Sequence, residues 1–157
     1  MIAQPNTPEG RASVTVERHF AASPEKVFDA FLDVRVARHF LFATKTGEMI
    51  EAEIDPQVGG GLAFTERRPT MGDVRHVGEY LQIDRPRRLA FRFAVPQFGA
   101  SSSVVSIDIS AARDGCALRL TNDGVSTEFA ERVQEGWERI LDGLLPAYDG
   151  RHAAGWL

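Results

Sequence analysis

The sequence predicts an α+β domain: a curved antiparallel sheet of about seven strands wrapped around one long C-terminal helix, with two short helices after strand one. Three observations carry this. Between Met49 and Leu120 the chain breaks into short runs with apolar residues at alternate positions, separated by Gly, Pro and Asp turn chemistry. From Glu128 to Leu145, by contrast, Phe129, Val133, Trp137, Ile140, Leu141, Leu144 and Leu145 recur at helical spacing on one stripe. An antiparallel sheet with one apolar face must bury that face, and this helix is the element long enough to cover it.

Val14, Val16 and Phe20 give the run 12–20 one buried face, as in a strand. Ser23 is placed to cap a helix, Pro24 suits its first position, and Glu25 favours its positive end. Val27, Phe28 and Phe31 fall on one side of that helix. Asp33 restarts the chain as a second short helix carrying Val36, Ala37 and Phe40. Met49–Ile54 is the next strand, broken by Asp55-Pro56-Gln57-Val58-Gly59-Gly60-Gly61. Strands follow over Leu62–Arg68 and Val74–Ile83, and Asp84–Arg87 reverses the chain. Leu89, Phe91, Phe93 and Val95 then alternate, as do Val105, Ile107 and Ile109. Asp114-Gly115 is a hairpin turn, with Leu118 and Leu120 alternating beyond it. Ser126 or Thr127 can cap the last helix, a rod of about 27 Å that Pro146 ends. The expected organisation is a flexible N-terminus over 1–11, one domain over 12–146 and a tail over 147–157.

Composition excludes several classes. At 157 residues, 43% hydrophobic and 25% charged, the chain is one ordinary globular domain. A net charge of −4 provides no general attraction for nucleic acid or an anionic membrane. Cys116 is the single cysteine, so neither an internal disulfide nor a cysteine metal cluster can form. The first ten residues lack the apolar run of a secretory signal, and no run of ~18 apolar residues offers a membrane span. A cytoplasmic protein, monomeric or homodimeric, is the expectation.

Four strings in order give the chain a resemblance: AASPEKVFDAFLD at the first helix, EIDPQVGGGLAF at the glycine turn, HVGEYLQIDRPRRLAFRF at the central hairpin and FAERVQEGWERILDGL in the last helix. Together they resemble the START-like superfamily, with its birch-pollen-allergen-like helix-grip fold. More narrowly they resemble the family named after the C-terminal domain of the activator of heat-shock protein 90 ATPase. The resemblance covers about 12–146. It implies a ligand cavity between sheet and helix, or a co-chaperone-like role in docking on proteins. Similar sequences often carry tryptophan where this one has His39-Phe40-Leu41, and arginine where it has Gln57.

One helix over a strongly curved sheet cannot fill the concavity, so large side chains either plug it or line a cavity. The residues expected there are Phe28, Phe31, Phe40, Phe64, His76, Tyr80, Phe91, Phe93, Val105, Ile107, Phe129, Val133 and Trp137. Gly136 would let the helix approach the sheet closely beside Trp137. His76 and Tyr80 share a strand face; turned inward, they would be polar groups in an apolar cavity, as in small-molecule sites. The opposite parity, with Val77, Leu81 and Ile83 inward and His76 solvated, is the commoner arrangement for such residues. A START-like cyclase or dehydratase working in such a cavity would use His76, Tyr80 and Asp108. Arg85, Arg87, Arg88 and Arg92 form the densest basic stretch, read as a solvated outer face that could dock a protein partner. Alternation sets Phe91 and Phe93 on the face opposite Arg92, which argues against RNA stacking. The four histidines have no metal-ligand spacing, the triple glycine lacks the Lys of a phosphate loop, and Cys116 has no neighbouring histidine. No catalytic set, metal or cofactor is therefore expected. The leading expectation is binding of a small hydrophobic molecule, lipids included.

Overall fold

In the computed structural model, which describes residues 10–99 and 101–144, the first alternating run forms β1 (Arg11–Phe20). It starts one residue early, where Arg11 pairs with Ser126. Ser23 accepts a hydrogen bond from the Lys26 amide at 3.2 Å, and Pro24 opens α1 (Pro24–Leu32) as the capping residues require. Asp33 ends α1 by donating its amide to the Asp29 carbonyl, then caps α2 (Val34–Ala37) by accepting from the Arg35 amide. This second helix is a single turn, shorter than expected. Beyond it the Phe40 and Leu41 amides both donate to the Ala37 carbonyl, and the course ends at Phe42 in a left-handed conformation.

The remaining strands are β2 (Glu48–Ile54), β3 (Gly61–Arg68), β4 (Gly72–Asp84), β5 (Arg88–Ala94), β6 (Ser103–Ala112) and β7 (Gly115–Ser126). All neighbours are antiparallel, in the order β1-β7-β6-β5-β4-β3-β2. The chain thus meanders from β2 to β7, and β1 joins at the far side. Because β1 and β2 are the two edges, the α1–α2 segment has to bridge them. It does so with α1 against β6 and β7 and α2 against β2.

The last helix, α3 (Ala130–Leu144), is preceded by a 3-10 turn over Thr127–Phe129 rather than starting at Glu128. Ser126 makes no side-chain cap, and the Thr127 hydroxyl donates to the Gly10 carbonyl instead. Trp137, Ile140, Leu141 and Leu144 face the sheet and join Val14, Val16, Phe20, Leu118, Leu120 and Ile107 in one core. Leu145, Pro146, the tail 147–157 and residues 1–9 of the N-terminus lie outside the described residues. No described helix is long and apolar enough to cross a membrane.

On the convex face, Asp84, Arg88, Asp108, Arg119 and Glu17 stand in register across five strands with alternating sign. Arg88 meets Asp108 at 2.6 Å and Arg119 meets Glu17 at 3.0 Å. Exposed pairs of this kind are each worth about 0–1 kcal/mol, so they favour the register more than the total stability.

Candidate functional site

Cross-strand pairing decides which way β4 faces. His76 lies opposite Phe64 and Tyr80 opposite Phe91, and both phenylalanines are buried in the core. His76 and Tyr80 therefore turn inward, 6% and 1% exposed. The commoner parity does not occur over 74–80. A register shift between Tyr80 and Gln82 then lets Ile83 rejoin the inner face opposite Leu89. The glycine turn fixes the Tyr80 backbone: Gly59 donates to its carbonyl and its amide donates to Gly60, each at 2.9 Å. Gly59 sits at φ 86°, which explains a glycine there.

Burial pushes the His76 imidazole down to about 4, so the ring is neutral near pH 7. Its Nδ1 lies 3.3 Å from the Phe64 carbonyl oxygen. Tyr80 is different. Burial pushes its phenol up, keeping the proton on, and its hydroxyl has no hydrogen-bond partner among the described residues. A buried hydroxyl left unpaired sacrifices about 1–3 kcal/mol of solvation.

The centre of the cluster is Phe42, which sequence reasoning missed. Its ring stacks on His76 at 4.5 Å and 14° and on Phe93 at 5.0 Å and 7°. It also meets Phe64 at 5.6 Å and Trp137 at 5.7 Å edge-on. Only 3% of Phe42 is exposed, yet its φ is 62°, a conformation that costs a bulky L-residue roughly 1–2 kcal/mol. The signal in the sequence was the run Phe40-Leu41-Phe42: three successive apolar residues where a helical stripe allows one.

The segment after Phe42 is held by Glu66, a carboxylate only 1% exposed. One of its oxygens accepts from the Thr44 amide at 2.6 Å and the Thr44 hydroxyl at 2.9 Å; the other accepts from Arg68 at 2.6 Å. Gly47 packs on the same carboxylate, which a Cβ there would overlap. On the outer side of this segment lies a solvent-open cleft of about 440 Å³, lined by Arg38, His39, Ala43, Thr44, Gly47, Glu48, Met49 and Glu66. Overhead, the Trp137 indole donates to Asn122 Oδ1 at 3.0 Å, while Asn122 Nδ2 donates to Ser103 Oγ at 2.8 Å.

Of the expected cavity residues, Phe28, Phe31, Phe40, Phe64, Phe91, Val105, Ile107 and Trp137 are buried in this core, and Phe93 and Val133 pack against it. Phe129 is the exception. The 3-10 turn carries its ring outward to 39% exposure. Asp108 faces away too, because Ile107 and Ile109 take the inward parity of β6, and it pairs with Arg88. Gly136 faces open space, so close approach of α3 does not depend on it. Cys116 is buried and its thiol is pushed up, the opposite of an activated nucleophile. Each arginine of the basic stretch has an acidic partner: Arg85 with Asp29, Arg87 with Asp84, Arg88 with Asp108 and Arg92 with Glu79. Among the described residues no group of three His, Cys, Asp or Glu is placed to hold a metal.

The same fold occurs in solved structures. A protein from Chromobacterium violaceum is 21% identical with a TM-score of 0.79, over 87% of this chain and 97% of its own. An AHSA1-like protein from Aeromonas hydrophila is 20% identical with a TM-score of 0.77, over 93% and 96%. A Rhizobium loti protein is 26% identical with a TM-score of 0.71, over 86% and 95%. No curated protein matches significantly. The family described as Activator of Hsp90 ATPase homolog 1-like protein matches residues 21–147, well over half of the chain. The order of elements, the four sequence strings and this match agree: the chain belongs to that family.

Proposed function

We propose that this protein, acting in the cytoplasm, binds a small hydrophobic molecule between the curved sheet and α3, with the Tyr80 hydroxyl as the polar contact that orients it. The observation that carries the reading is that hydroxyl: protonated, 1% exposed, and without a partner among the described residues. Apolar sites that bind small molecules have this design, a greasy wall with one or two polar groups that convergent ligand atoms satisfy. A neutral His76 in the same inner face adds a second group able to donate or accept without bringing a charge. Docking through the basic stretch is the weaker reading, since its four arginines are already neutralised by neighbours.

Two measurements test this. Native mass spectrometry of freshly purified protein, followed by organic extraction, is expected to show a retained small molecule. Replacing Tyr80→Phe removes an unpaired hydroxyl and keeps the ring, so ligand-free protein should be unchanged or more stable by about 1 kcal/mol. That corresponds to a rise in Tm of roughly 2–4 °C for a chain of this size. The same variant should hold an extracted ligand less tightly. A Tyr80→Phe protein that melts several degrees lower, or binds the extract as well as before, removes Tyr80 from the site.

A further inference from the structure

We propose that Phe42 is an internal stand-in for the ligand, and that the molecule which displaces it presents a flat aromatic ring system of one or two rings. This rests on the cavity reading above and goes beyond it by naming the ligand class and the residue that yields.

Four elements supply the rings around Phe42: Phe64 from β3, His76 from β4, Phe93 from β5 and Trp137 from α3. Phe42 itself comes from a turn. With its ring withdrawn, the other four stay on their strands and helix in the same relation. His76 and Phe93 remain within 7° of parallel at 6.0 Å, a two-ring floor, and Trp137 stands at 62° to Phe93 as a wall. Such a floor and wall favour a flat ring through stacking and edge contacts that a flexible acyl chain cannot reproduce. The chain has thus filled the site with a benzyl group of its own, which reports the shape of the molecule that fits.

Withdrawal has a route. Phe42 is held in a left-handed conformation that an aromatic residue seldom adopts, so leaving the cluster relieves backbone strain. The next anchor along the chain is Thr44, whose amide and hydroxyl both hang on one oxygen of Glu66. Ala43 and Thr44 form the wall of the outer cleft, while Phe42 points to the inside. Loss of the two Thr44 bonds therefore moves the plug and opens the cleft towards the aromatic floor in one step. A site occupied by its own plug binds ligand with an affinity reduced by the fraction of time the plug is in place, so loosening the plug must tighten binding.

The test uses the full chain, with 2-naphthol as the flat probe and dodecanoate as the flexible one, titrated by calorimetry into the unmodified protein, Thr44→Ala and Phe42→Ala. Thr44→Ala deletes the hydroxyl bond to Glu66, keeps the amide bond and removes no ring, so it separates loosening of the plug from the mere creation of a hole. Expected are binding of 2-naphthol at least tenfold tighter than dodecanoate, a further gain of about three- to tenfold in Thr44→Ala, and a larger gain in Phe42→Ala. If 2-naphthol binds all three proteins equally, or dodecanoate binds better, the stand-in is overturned while the cavity reading survives. If neither probe binds any of them, both fall.

Discussion

Lowering the pH from 7 to 5 is expected to cost the folded protein about 2 kcal/mol through His76 alone. Its ring is pushed down from an ordinary value of 6.5 to about 4, chiefly by burial, with Arg68 adding to the depression and the Phe64 carbonyl and Glu66 opposing it. The unfolded chain then takes up a proton below about pH 6.5 that the folded chain refuses until about pH 4. Stability from the neutral ring is complete above pH 6.5, falls steadily between the two values and levels off below pH 4 at a loss of about 3 kcal/mol. Urea melts at pH 7, 6 and 5 should therefore give falling midpoints with an unchanged slope. In His76→Phe, which keeps a stacked ring but cannot titrate, the midpoints should stay nearly level from pH 7 to 5. Carboxylates held low by a partner, Asp33 beside Arg35 and Glu51 beside Arg75 and Thr65, act below their ordinary values and leave this window to the histidine. A wild-type melt that is flat from pH 7 to 5 would mean that His76 is protonated in the fold, and the neutral inner wall would be lost with it.

The fold was legible because its signals are periodic. Seven runs of alternation and one amphipathic stripe survive any local uncertainty, and the described strands fall within one or two residues of the runs 12–20, 49–54 and 62–68. Parity was legible wherever apolar residues took one face, as with Phe91 and Phe93 or Ile107 and Ile109. On β4 both faces carry apolar residues, and hydropathy alone prefers Val77 to His76. The deciding term is pairing against Phe64 and Phe91 on strands whose register a single sequence does not reveal. Phe42 was hidden for a different reason. No periodicity applies in a turn, and its conformation is one that residue type argues against. Glu66 lay in a strand already assigned, and a buried carboxylate becomes visible only once the Thr44 donors that satisfy it have been brought near. Asn122 could have been found: it continues the inward parity of Leu118 and Leu120, and an inward amide demands partners.

That amide supports the second large expectation. Asn122 is buried at the far side of the sheet from the Glu66 latch in strand order, and all its contacts are made: Oδ1 accepts from the Trp137 indole, and Nδ2 donates to Ser103 and the Val104 carbonyl. Asn122→Leu keeps the branched shape of the amide but leaves the indole N–H buried without an acceptor, a loss of about 2–3 kcal/mol. Trp137→Phe removes the donor and, with it, ring area packed against Phe42 and Phe93. Made together, the two changes remove both halves of one hydrogen bond, and replacing both partners by apolar groups is much less damaging than orphaning one. The double variant should therefore be more stable than the sum of the singles predicts by about 1–2 kcal/mol. Urea midpoints of the four proteins give this coupling directly, and strict additivity would show that the indole and the amide do not depend on each other. The coupling bears on the proposed site because this bond ties to β7 the indole whose rings stand at 60° to Phe42 and 62° to Phe93. Under the flat-ring proposal, Asn122→Leu should therefore also weaken binding of 2-naphthol, although Asn122 lies outside the ring cluster around Phe42.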